Sequence, residues 1–422
     1  MNRKTYLIVV FIFSFINLFS QTSDSIQISP IDMSDWSLEE ARKHYPEKIT
    51  AIIKNWENEE RTIGKAENLT LLLEEMRGVD PRGTLFFTNE LLKTGEELKS
   101  DTIIFNSKRF VGLIYSELGD FQSSLFYLLK ALEYADSISF LFGIAEANSL
   151  LSSTYHLLGQ NERGVEIGNK ALEIYKEIGA ETGILSAYTN TGSCYSGLAK
   201  YETAIEYFIE ALKIAEKMNS VVNLTQIHYN ISSCYLQLAD YKEAEKHSIK
   251  TLELIEVGKY PHIEAGAYNV LGSIDLLNNQ LESAKAYFTK SIEGYELTGS
   301  IGHLATVYSN LGAIFLRLNQ QDSCIYWNKK AEVIGKQFQS MAILLPVYSN
   351  FAAAYGNLRQ WEKSDFYFNK CLDICEATKN ENCFMQMYLA MSIGQEEKGD
   401  FQKAYQFYKQ YNEKENAILS LE

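Results

Sequence analysis

The chain has 422 residues, of which 46% are hydrophobic and 22% charged, with only 5 prolines. That length suits several compact domains or one elongated array, and the composition is that of an ordered protein. The formal net charge is −15 at pH 7. Because a nucleic-acid backbone is bound by a basic surface, this charge argues against a nucleic-acid partner.

Residues 1–21 predict a signal peptide. Arg3 and Lys4 precede an apolar run, Tyr6–Phe19, and Ser20-Gln21 suits a cleavage region. The run is shorter than the roughly 20 apolar residues of a membrane span. The alternative, an uncleaved N-terminal anchor, would leave the rest of the chain on the same side of the membrane. We therefore expect export to the periplasm or the exterior, with no stable membrane insertion after cleavage.

Residues 22–60 predict a polar leader followed by a capping helix. The helical pattern runs from Trp36 to about Trp56, and Ser37 is a suitable N-cap because its hydroxyl can accept a bond from a backbone N–H of the first turn. A helix in this place would cover the open apolar face of the helix pair that follows it.

From residue 61 onward the chain is built from helix pairs. Residues 61–98 form a degenerate pair in which Asp80-Pro81 indicates a turn and a helix start. Residues 99–415 repeat the pattern eight times with a period of 40 residues, and 416–422 form a short polar tail. The turn between the two helices of each repeat is placed at Gly119, Gly159, Ala199, Ala239, Asn279, Asn319, Arg359 and Gly399. The small residues where those two helices cross are Ser124, Gly164, Ala204, Ala244, Ala284, Cys324, Ser364 and Ala404.

The clearest copy, Ala187–Ala215, carries the signature of a known repeat family. In it the tetratricopeptide-repeat positions are occupied by Tyr188, Gly192, Tyr195, Ala204, Phe208 and Ala211, with Tyr188 in the place of the usual Trp. The chain thus resembles tetratricopeptide-repeat proteins over about residues 61–415. The 40-residue period is similar to that of kinesin light chain and of bacterial peptide-sensing regulators. The resemblance implies an all-α fold, an α-solenoid in which antiparallel helix pairs stack into a right-handed superhelix.

Two regions depart from the repeat pattern. Asp275, Asn278 and Gln321 stand at normally apolar places in repeats five and six, which predicts looser packing in the middle of the array. In the last repeat Gln395 and Lys398 replace an aromatic residue and a Leu. Such polar residues are expected where one face of a terminal repeat meets water.

No arrangement of catalytic residues is present in the sequence, so we expect neither enzymatic activity nor a cofactor. The chain lacks HExxH, GxGxxG, Walker and GxSxG motifs. Its 6 histidines show no recurring metal-ligand spacing, and no metal site is predicted. We interpret as packing residues, rather than as a platform for sugars or bases, His228 and the residues in the same position of other repeats, Tyr188, Tyr268, Tyr308, Tyr348 and Tyr388.

The 6 cysteines leave one pairing open. Cys194 and Cys234 occupy equivalent positions of adjacent repeats, which stack too far apart for a disulfide. A bridge between Cys375 and Cys383 is possible across the short loop between their helices. The favoured interpretation for all six is that of small buried hydrophobic residues.

The candidate binding residues come from the resemblance. In tetratricopeptide arrays the first helix of each repeat lines an inner groove, and its exposed residues follow an i, i+3/i+4 spacing. We call the corresponding positions the first-helix stripe: it comprises Ser186, Asn190, Ser193 and Gly197 in repeat three and the residues 40, 80, 120 and 160 positions later. The residues predicted to bind a ligand are Asn190, Ser193, Gln226, Asn230, Ser233, Asn310, Arg317, Asn350 and Asn357.

Asn recurs on this stripe at positions 190, 230, 310 and 350. A carboxamide can pair with both the N–H and the C=O of an extended peptide, and in similar arrays such as kinesin light chain the equivalent Asn holds a bound segment. The alternative is that each Asn only caps or bridges neighbouring helices.

The leading hypothesis is an exported, non-catalytic scaffold that binds a protein or an extended peptide in the groove. A clamp for a C-terminal carboxylate is disfavoured, because Arg317 is the only cation on the stripe and Arg109 lies one residue off its register. The alternatives are a periplasmic sensor component of a signalling or transcription-regulating system and a structural part of an envelope assembly.

Overall fold

The computed structural model describes residues 31–58, 62–76, 79–256 and 259–419. The predicted signal peptide and most of the predicted leader lie outside these residues. The regular structure of the described residues is helical throughout, and the fold is the predicted all-α solenoid. It divides into two compact units, which we call the N-terminal unit (described residues 31–220) and the C-terminal unit (described residues 221–419).

The N-terminal unit begins with the capping segment and the degenerate pair and continues through repeats one to three. Its helices are α1 (Leu38–Ala41), α2 (Glu47–Asn58), α3 (Ile63–Met76), α4 (Pro81–Leu98), α5 (Asp101–Glu117), α6 (Phe121–Ser137), α7 (Leu141–Leu157), α8 (Asn161–Glu177), α9 (Glu181–Gly197) and α10 (Tyr201–Lys217).

The C-terminal unit holds repeats four to eight. Its helices are α11 (Val221–Gln237), α12 (Tyr241–Leu254), α13 (Pro261–Leu277), α14 (Leu281–Leu297), α15 (Ile301–Arg317), α16 (Gln321–Gln337), α17 (Met341–Asn357), α18 (Trp361–Thr378), α19 (Glu381–Lys398) and α20 (Phe401–Leu419). The last helix therefore continues through residues 416–419, which the sequence assigns to a polar tail.

The turn inside each repeat is made by one residue in the left-handed region. All eight predicted turn positions have positive φ, from 58° at Ala199 to 86° at Gly399. The left-handed residue lets the last carbonyls of the first helix find N–H donors while the chain reverses. The same device closes the loops between repeats, for example at Ser139 and Gly179, which the sequence pattern did not reveal.

The capping segment is broken where the sequence predicts one helix. Ser37 caps α1, since its Oγ accepts from the N–H of Glu40 at 3.3 Å. Tyr45 then adopts an extended backbone with ψ of 144°. The cause is Pro46, because the ring of a proline clashes with a helical conformation of the residue before it. A 3-10 turn, Arg42–His44, therefore separates α1 from α2.

The middle of the array is well packed, which corrects the expectation of looseness there. Buried apolar residues from Ala265 to Met391 form one cluster that includes Phe288 and Phe351. The three polar residues that motivated the expectation lie towards the loops: Asn278 is exposed, and Asp275 and Gln321 are half-buried. Their polar groups therefore cost the core little.

Among the described residues, no helix has both the length and the apolar character needed to cross a membrane.

Candidate binding surface on the first helices

The first-helix stripe lies on α9 in the N-terminal unit and on α11, α13, α15 and α17 in the C-terminal unit. Arg317 is its one charged residue. The second helices, in contrast, carry ion pairs such as Lys170–Glu166 and Lys246–Glu243, each at 2.7 Å. Charge is thus segregated between the two helices of a repeat, and the first helices present mainly uncharged hydrogen-bonding groups.

Two of the predicted asparagines bridge neighbouring first helices. The Nδ2 of Asn190 on α9 donates to the backbone oxygen of Ser149 on α7 at 3.0 Å and to its Oγ at 3.1 Å. The Nδ2 of Asn350 on α17 donates to the backbone oxygen of Ser309 on α15 at 3.1 Å. Both bonds span 41 residues, so they belong to the geometry of the repeat.

Asn350 is committed to this packing. Its amide also donates to the Oδ1 of Asn328 at 3.1 Å, and the residue is only 7% exposed. Asn350 therefore does not lie on an accessible surface, and the bridging alternative describes it better than ligand contact does. Asn190 is half-buried and keeps part of its side chain at the surface.

The arginines near the stripe are engaged within the protein. A guanidinium N–H of Arg317 donates to the backbone oxygen of Leu276, again 41 residues earlier. Arg109 lies 3.7 Å from Glu146 and 3.9 Å from Glu74. Both cations therefore have partners within the protein.

The remaining predicted residues on α11 form a polar row. Gln226 donates through Nε2 to the Oδ1 of Asn230 at 2.9 Å, one helical turn away. Ser233 lies another turn along the helix and hydrogen-bonds with Tyr229. All four side chains are half-buried, and each retains some access to solvent.

Ser193 and Asn310 do not join that row. Ser193 donates to the backbone oxygen of Thr189 within α9 at 3.0 Å. Asn310 lies half-buried on α15. The structure thus brings three predicted residues, Gln226, Asn230 and Ser233, together on α11. The other predicted residues lie two to a helix, on α9, α15 and α17.

Four carboxamide oxygens on first helices lack a hydrogen-bond partner among the described residues, those of Asn269, Asn357, Gln386 and Gln395. The Oδ1 of Asn357, a predicted residue, and the Oδ1 of Asn269 on α13 are both buried without a hydrogen bond. The stripe spacing does not select Asn269, because it selects the neighbouring Val270, which is 3% exposed.

Tyr229 is a second residue that the stripe spacing does not select. Its ring lies against Gly266 on α13, where a Cβ atom would stand 2.4 Å from the ring. Only glycine leaves room for this aromatic side chain. The pairing of a bulky residue with a glycine 37 positions later joins two repeats, so the spacing within one repeat does not show it.

The predicted packing role of His228 and the equivalent tyrosines is confirmed. The His228 and His247 ring centroids lie 5.0 Å apart, in the place of Tyr188–Tyr207 at 5.6 Å. Their Nδ1 atoms are 2.9 Å apart, so one imidazole donates to the other. Burial, together with the neighbouring His228, lowers the pKa of His247 to about 4.

A second histidine pair lies between α13 and α15. The ring centroids of His262 and His303 are 4.9 Å apart, and the Nδ1 of His262 lies 2.9 Å from the Oγ of Ser300. Burial and the proximity of His262 lower the pKa of His303 to about 3. Within the described part of the chain, no group of three or more His, Cys, Asp or Glu side chains is arranged to hold a metal ion.

One pair of cysteines is a disulfide, which corrects the favoured interpretation. Cys375, near the end of α18, is bonded to Cys383, near the start of α19, with the Cα atoms 5.5 Å apart. The short loop between these helices brings both residues within bridging distance. The other four, Cys194, Cys234, Cys324 and Cys371, are buried thiols as expected.

Two family models, each described as tetratricopeptide repeat, match the chain. One covers residues 143–217 and 223–297, and the other covers residues 110–137. No curated protein sequence matches it.

Several solved structures have a similar fold. The apo form of the quorum sensor NprR from B. thuringiensis is 18% identical with a TM-score of 0.54, covering 78% of this chain and 99% of that one. A Rap protein complexed with Competence and Sporulation Factor is 14% identical with a TM-score of 0.54, covering 79% and 99%. Aspartyl phosphate phosphatase F from Bacillus subtilis is 14% identical with a TM-score of 0.52, covering 85% and 94%. At these identities the likeness concerns the fold.

Proposed function

We propose that this chain, which belongs to the tetratricopeptide-repeat family, is an exported, non-catalytic scaffold that binds an extended peptide segment along its first helices. The observation that carries this proposal is the polar row on α11. Gln226, Asn230 and Ser233 present uncharged donors and acceptors that are half-buried, in a chain whose net charge is −15.

Such a row suits the main chain of a ligand. An extended peptide offers an N–H and a C=O at each residue, and a carboxamide can pair with both. Because the stripe is nearly uncharged, affinity would come from these hydrogen bonds and from side-chain pockets more than from ion pairing. We therefore expect binding that changes little with salt concentration.

The fold likeness supports the same function. One protein of similar fold is complexed with Competence and Sporulation Factor, and another is described as a quorum sensor. By analogy of fold, this chain would also hold a signal or partner segment on its repeats. The description of NprR as a sensor favours, as a second candidate, a sensor component of a signalling system.

The non-catalytic part of the proposal rests on the chemistry of the stripe. It holds no carboxylate, thiol or imidazole that could act as an acid, a base or a nucleophile. A protein of similar fold is named a phosphatase, but that name describes the other protein.

Export is proposed from two observations. Arg3 and Lys4 precede the apolar run Tyr6–Phe19, and Cys375 is disulfide-bonded to Cys383. Disulfides persist in oxidising compartments outside the cytosol.

Fractionation of cells that express the chain with and without residues 1–21 tests the proposal of export. We expect the full chain in the periplasm or the medium, and a full chain found only in the cytosol would contradict export.

The peptide-binding proposal is tested with a displayed library of random linear peptides selected on the full chain. The test variant is Gln226→Ala/Asn230→Ala/Ser233→Ala, and its matched control is Gln402→Ala/Gln406→Ala/Gln410→Ala, which removes three exposed carboxamides from the second helix α20. We expect selected peptides to bind the test variant at least about tenfold more weakly. The control should bind like the wild type, and both variants should unfold at the same denaturant concentration as the wild type.

Equal binding of the selected peptides to the test variant and the control would reject the α11 row as the site. Failure of the library to yield any peptide that binds the full chain above background would reject peptide binding itself.

A further inference from the structure

Several repeats fill the space between their two helices with a pair of aromatic rings. A first-helix Tyr packs on a second-helix ring 19 residues later, with centroids 5.4–6.0 Å apart; the pairs are Tyr188–Tyr207, Tyr268–Tyr287, Tyr308–Trp327 and Tyr348–Tyr367. The recurrence shows that this space is shaped for a ring. We call it the ring slot.

Repeat one has only half of the pair. Its second-helix ring is present as Tyr127, which stacks on Tyr115 with centroids 5.1 Å apart and planes 8° apart. Its first-helix position, 80 residues before Tyr188, is occupied by Lys108. The first-helix ring that repeats three, five, six and seven supply from within is therefore missing here.

A cavity of about 290 Å³ lies in that place, between α4, α5 and α6. Leu92, Val111 and the ring of Tyr127 give it apolar walls, and Ser107 and Asn89 add polar groups. The volume is at the lower end of the range for small-molecule sites, which suits a ligand with one ring system.

The other repeats also show how a ring is held in the slot. The ammonium groups of Lys290 and Lys330 stand over the first-helix rings Tyr268 and Tyr308, at 4.8 and 5.2 Å from the centroids. Both lysines occupy the same repeat position as Lys130, which lines the cavity of repeat one. The cation that contacts the ring in those repeats is therefore present where the ring is absent.

The lining of the cavity is cationic. Lys108 and Lys130 both contribute to it, and no carboxylate does. Outside the cavity, Lys130 donates to Glu133 at 2.8 Å, and the ammonium of Lys108 lies 5.2 Å from the ring centroid of Tyr134. Two ammonium groups beside an apolar cavity favour a ligand that carries a negative charge next to its ring.

We propose that the ring slot of repeat one binds a small aromatic carboxylate, whose ring takes the place of the missing tyrosine. The ring stacks on Tyr127 beneath Lys130, and the carboxylate pairs with the ammonium groups at the mouth of the cavity. This site lies in the N-terminal unit and is separate from the polar row on α11.

The experiment is calorimetric titration of the full chain with 3-phenylpropionate and indole-3-acetate, and with their uncharged amides. We expect each acid to bind about twofold to fivefold more tightly than its amide, because only the carboxylate can pair with the half-exposed ammonium groups. Lys108→Tyr supplies the internal ring that repeats three and five to seven possess. It should abolish binding and raise the melting temperature, because it fills the cavity.

Two further variants test the contribution of the ammonium group separately from that of the ring. Lys130→Gln should weaken the preference for the acid over the amide, since it removes one of the two ammonium groups that line the cavity. Lys170→Gln, at the same position of repeat two, should change nothing; it is a matched control because the two lysines are 57% and 58% exposed and each pairs with a glutamate. Leu92→Trp fills the cavity from α4 and replaces Lys108→Tyr in the test should the latter fail to fold.

Three results would overturn the proposal. They are no binding of either acid at about 10 mM, equal affinities for acid and amide in the wild type, and unchanged binding in a folded variant whose cavity is filled.

Discussion

The fourth and the seventh repeats follow the same 40-residue frame but are held together by different contacts. In the seventh, Asn350 ties α17 to α15 through the backbone of Ser309 and also bonds to Asn328. The disulfide Cys375–Cys383 then joins α18 to the repeat that follows. Both helices of the seventh repeat, α17 and α18, are therefore bonded to neighbouring repeats.

The contacts that hold the fourth repeat together are weaker. Its second helix, α12, has 14 residues, whereas α10 and α14 have 17. Its aromatic pair is replaced by His228 and His247. The stripe residue Asn230 is bonded to Gln226 of its own helix.

The comparison teaches that equivalent positions of a repeat can serve opposite purposes. Where a stripe Asn has a serine 41 residues before it, as Asn190 and Asn350 do, its amide bridges two first helices. Where the Asn is bonded within its own helix, the side chain stays on the surface and is available to a ligand. The fourth repeat is therefore the better binding candidate.

The largest expected effect is that of the disulfide. The two bonded cysteines are 8 residues apart in the sequence. A crosslink that closes a loop of this length stabilises the folded protein by about 2–3 kcal/mol, because it lowers the entropy of the unfolded chain. Reduction with dithiothreitol should lower the free energy of unfolding of the C-terminal unit by about that amount in urea titrations.

The control for the disulfide is Cys375→Ala/Cys383→Ala, which should be insensitive to dithiothreitol. Cys371→Ala removes a neighbouring buried thiol and should leave the response to the reductant intact. Equal stability of the wild type with and without dithiothreitol would show that the bridge contributes nothing to the seventh and eighth repeats.

The next effect separates the two asparagines. Asn350→Ala removes donors to Ser309 and Asn328 inside a buried region, so it should destabilise the protein by about 1–3 kcal/mol. Asn230→Ala removes a half-buried side chain and should cost less than about 0.5 kcal/mol. Urea titrations of both variants measure the difference. Equal losses in the free energy of unfolding would mean that Asn230 stabilises the fourth repeat as much as Asn350 stabilises the seventh.

The smallest effect is the pH dependence of the histidine pair. The pKa of His247 falls to about 4 in the folded state from an ordinary value of 6.5, so the unfolded chain binds more protons between those values. Stability is therefore full above about pH 6.5 and declines as pH falls towards 4. After allowance for solvent screening, we expect a loss of roughly 1 kcal/mol from this pair between pH 7 and pH 5.

The charged groups around the pair have opposing effects on that loss. Glu243 lies 4.0 Å from the Nε2 of His247 and favours its protonation. Lys246 and His228 oppose its protonation.

The matched variant is His228→Tyr/His247→Tyr, which reproduces the ring pair of the next repeat. Its stability should depend less on pH than that of the wild type. Burial also lowers the pKa values of His156, His262 and His303, and these residues contribute to the remaining slope. An unchanged slope would show that protonation of His247 costs no stability.

Much of the fold could be read from the sequence, because its requirements are local. A turn residue must accept a left-handed backbone, as Ala199 and Asn279 do. The crossing residue must be small, as the fully buried Ala204 and Cys324 are. These demands recur at a fixed period and need no knowledge of distant contacts. Pro46 is equally visible in the sequence, and it breaks the capping segment that the helical pattern predicts as one helix.

The candidate site could be read only in part. Spacing placed Gln226, Asn230 and Ser233 on one helix correctly. It could not tell that Asn350 is buried or that the ring of Tyr229 lies over Gly266, because those facts depend on residues 22 to 41 positions away.

The sequence by itself determined the period, the turns, the crossing residues and the nearly uncharged character of the first-helix stripe. The tertiary structure alone decided which asparagines are bridges, that Cys375 and Cys383 are close enough to bond, and that Lys108 leaves a cavity. The physical reason is the range of the interactions. Helix formation and reversal depend on residues a few positions apart, whereas a bridge, a disulfide and a cavity depend on distances between helices that the repeat pattern does not specify.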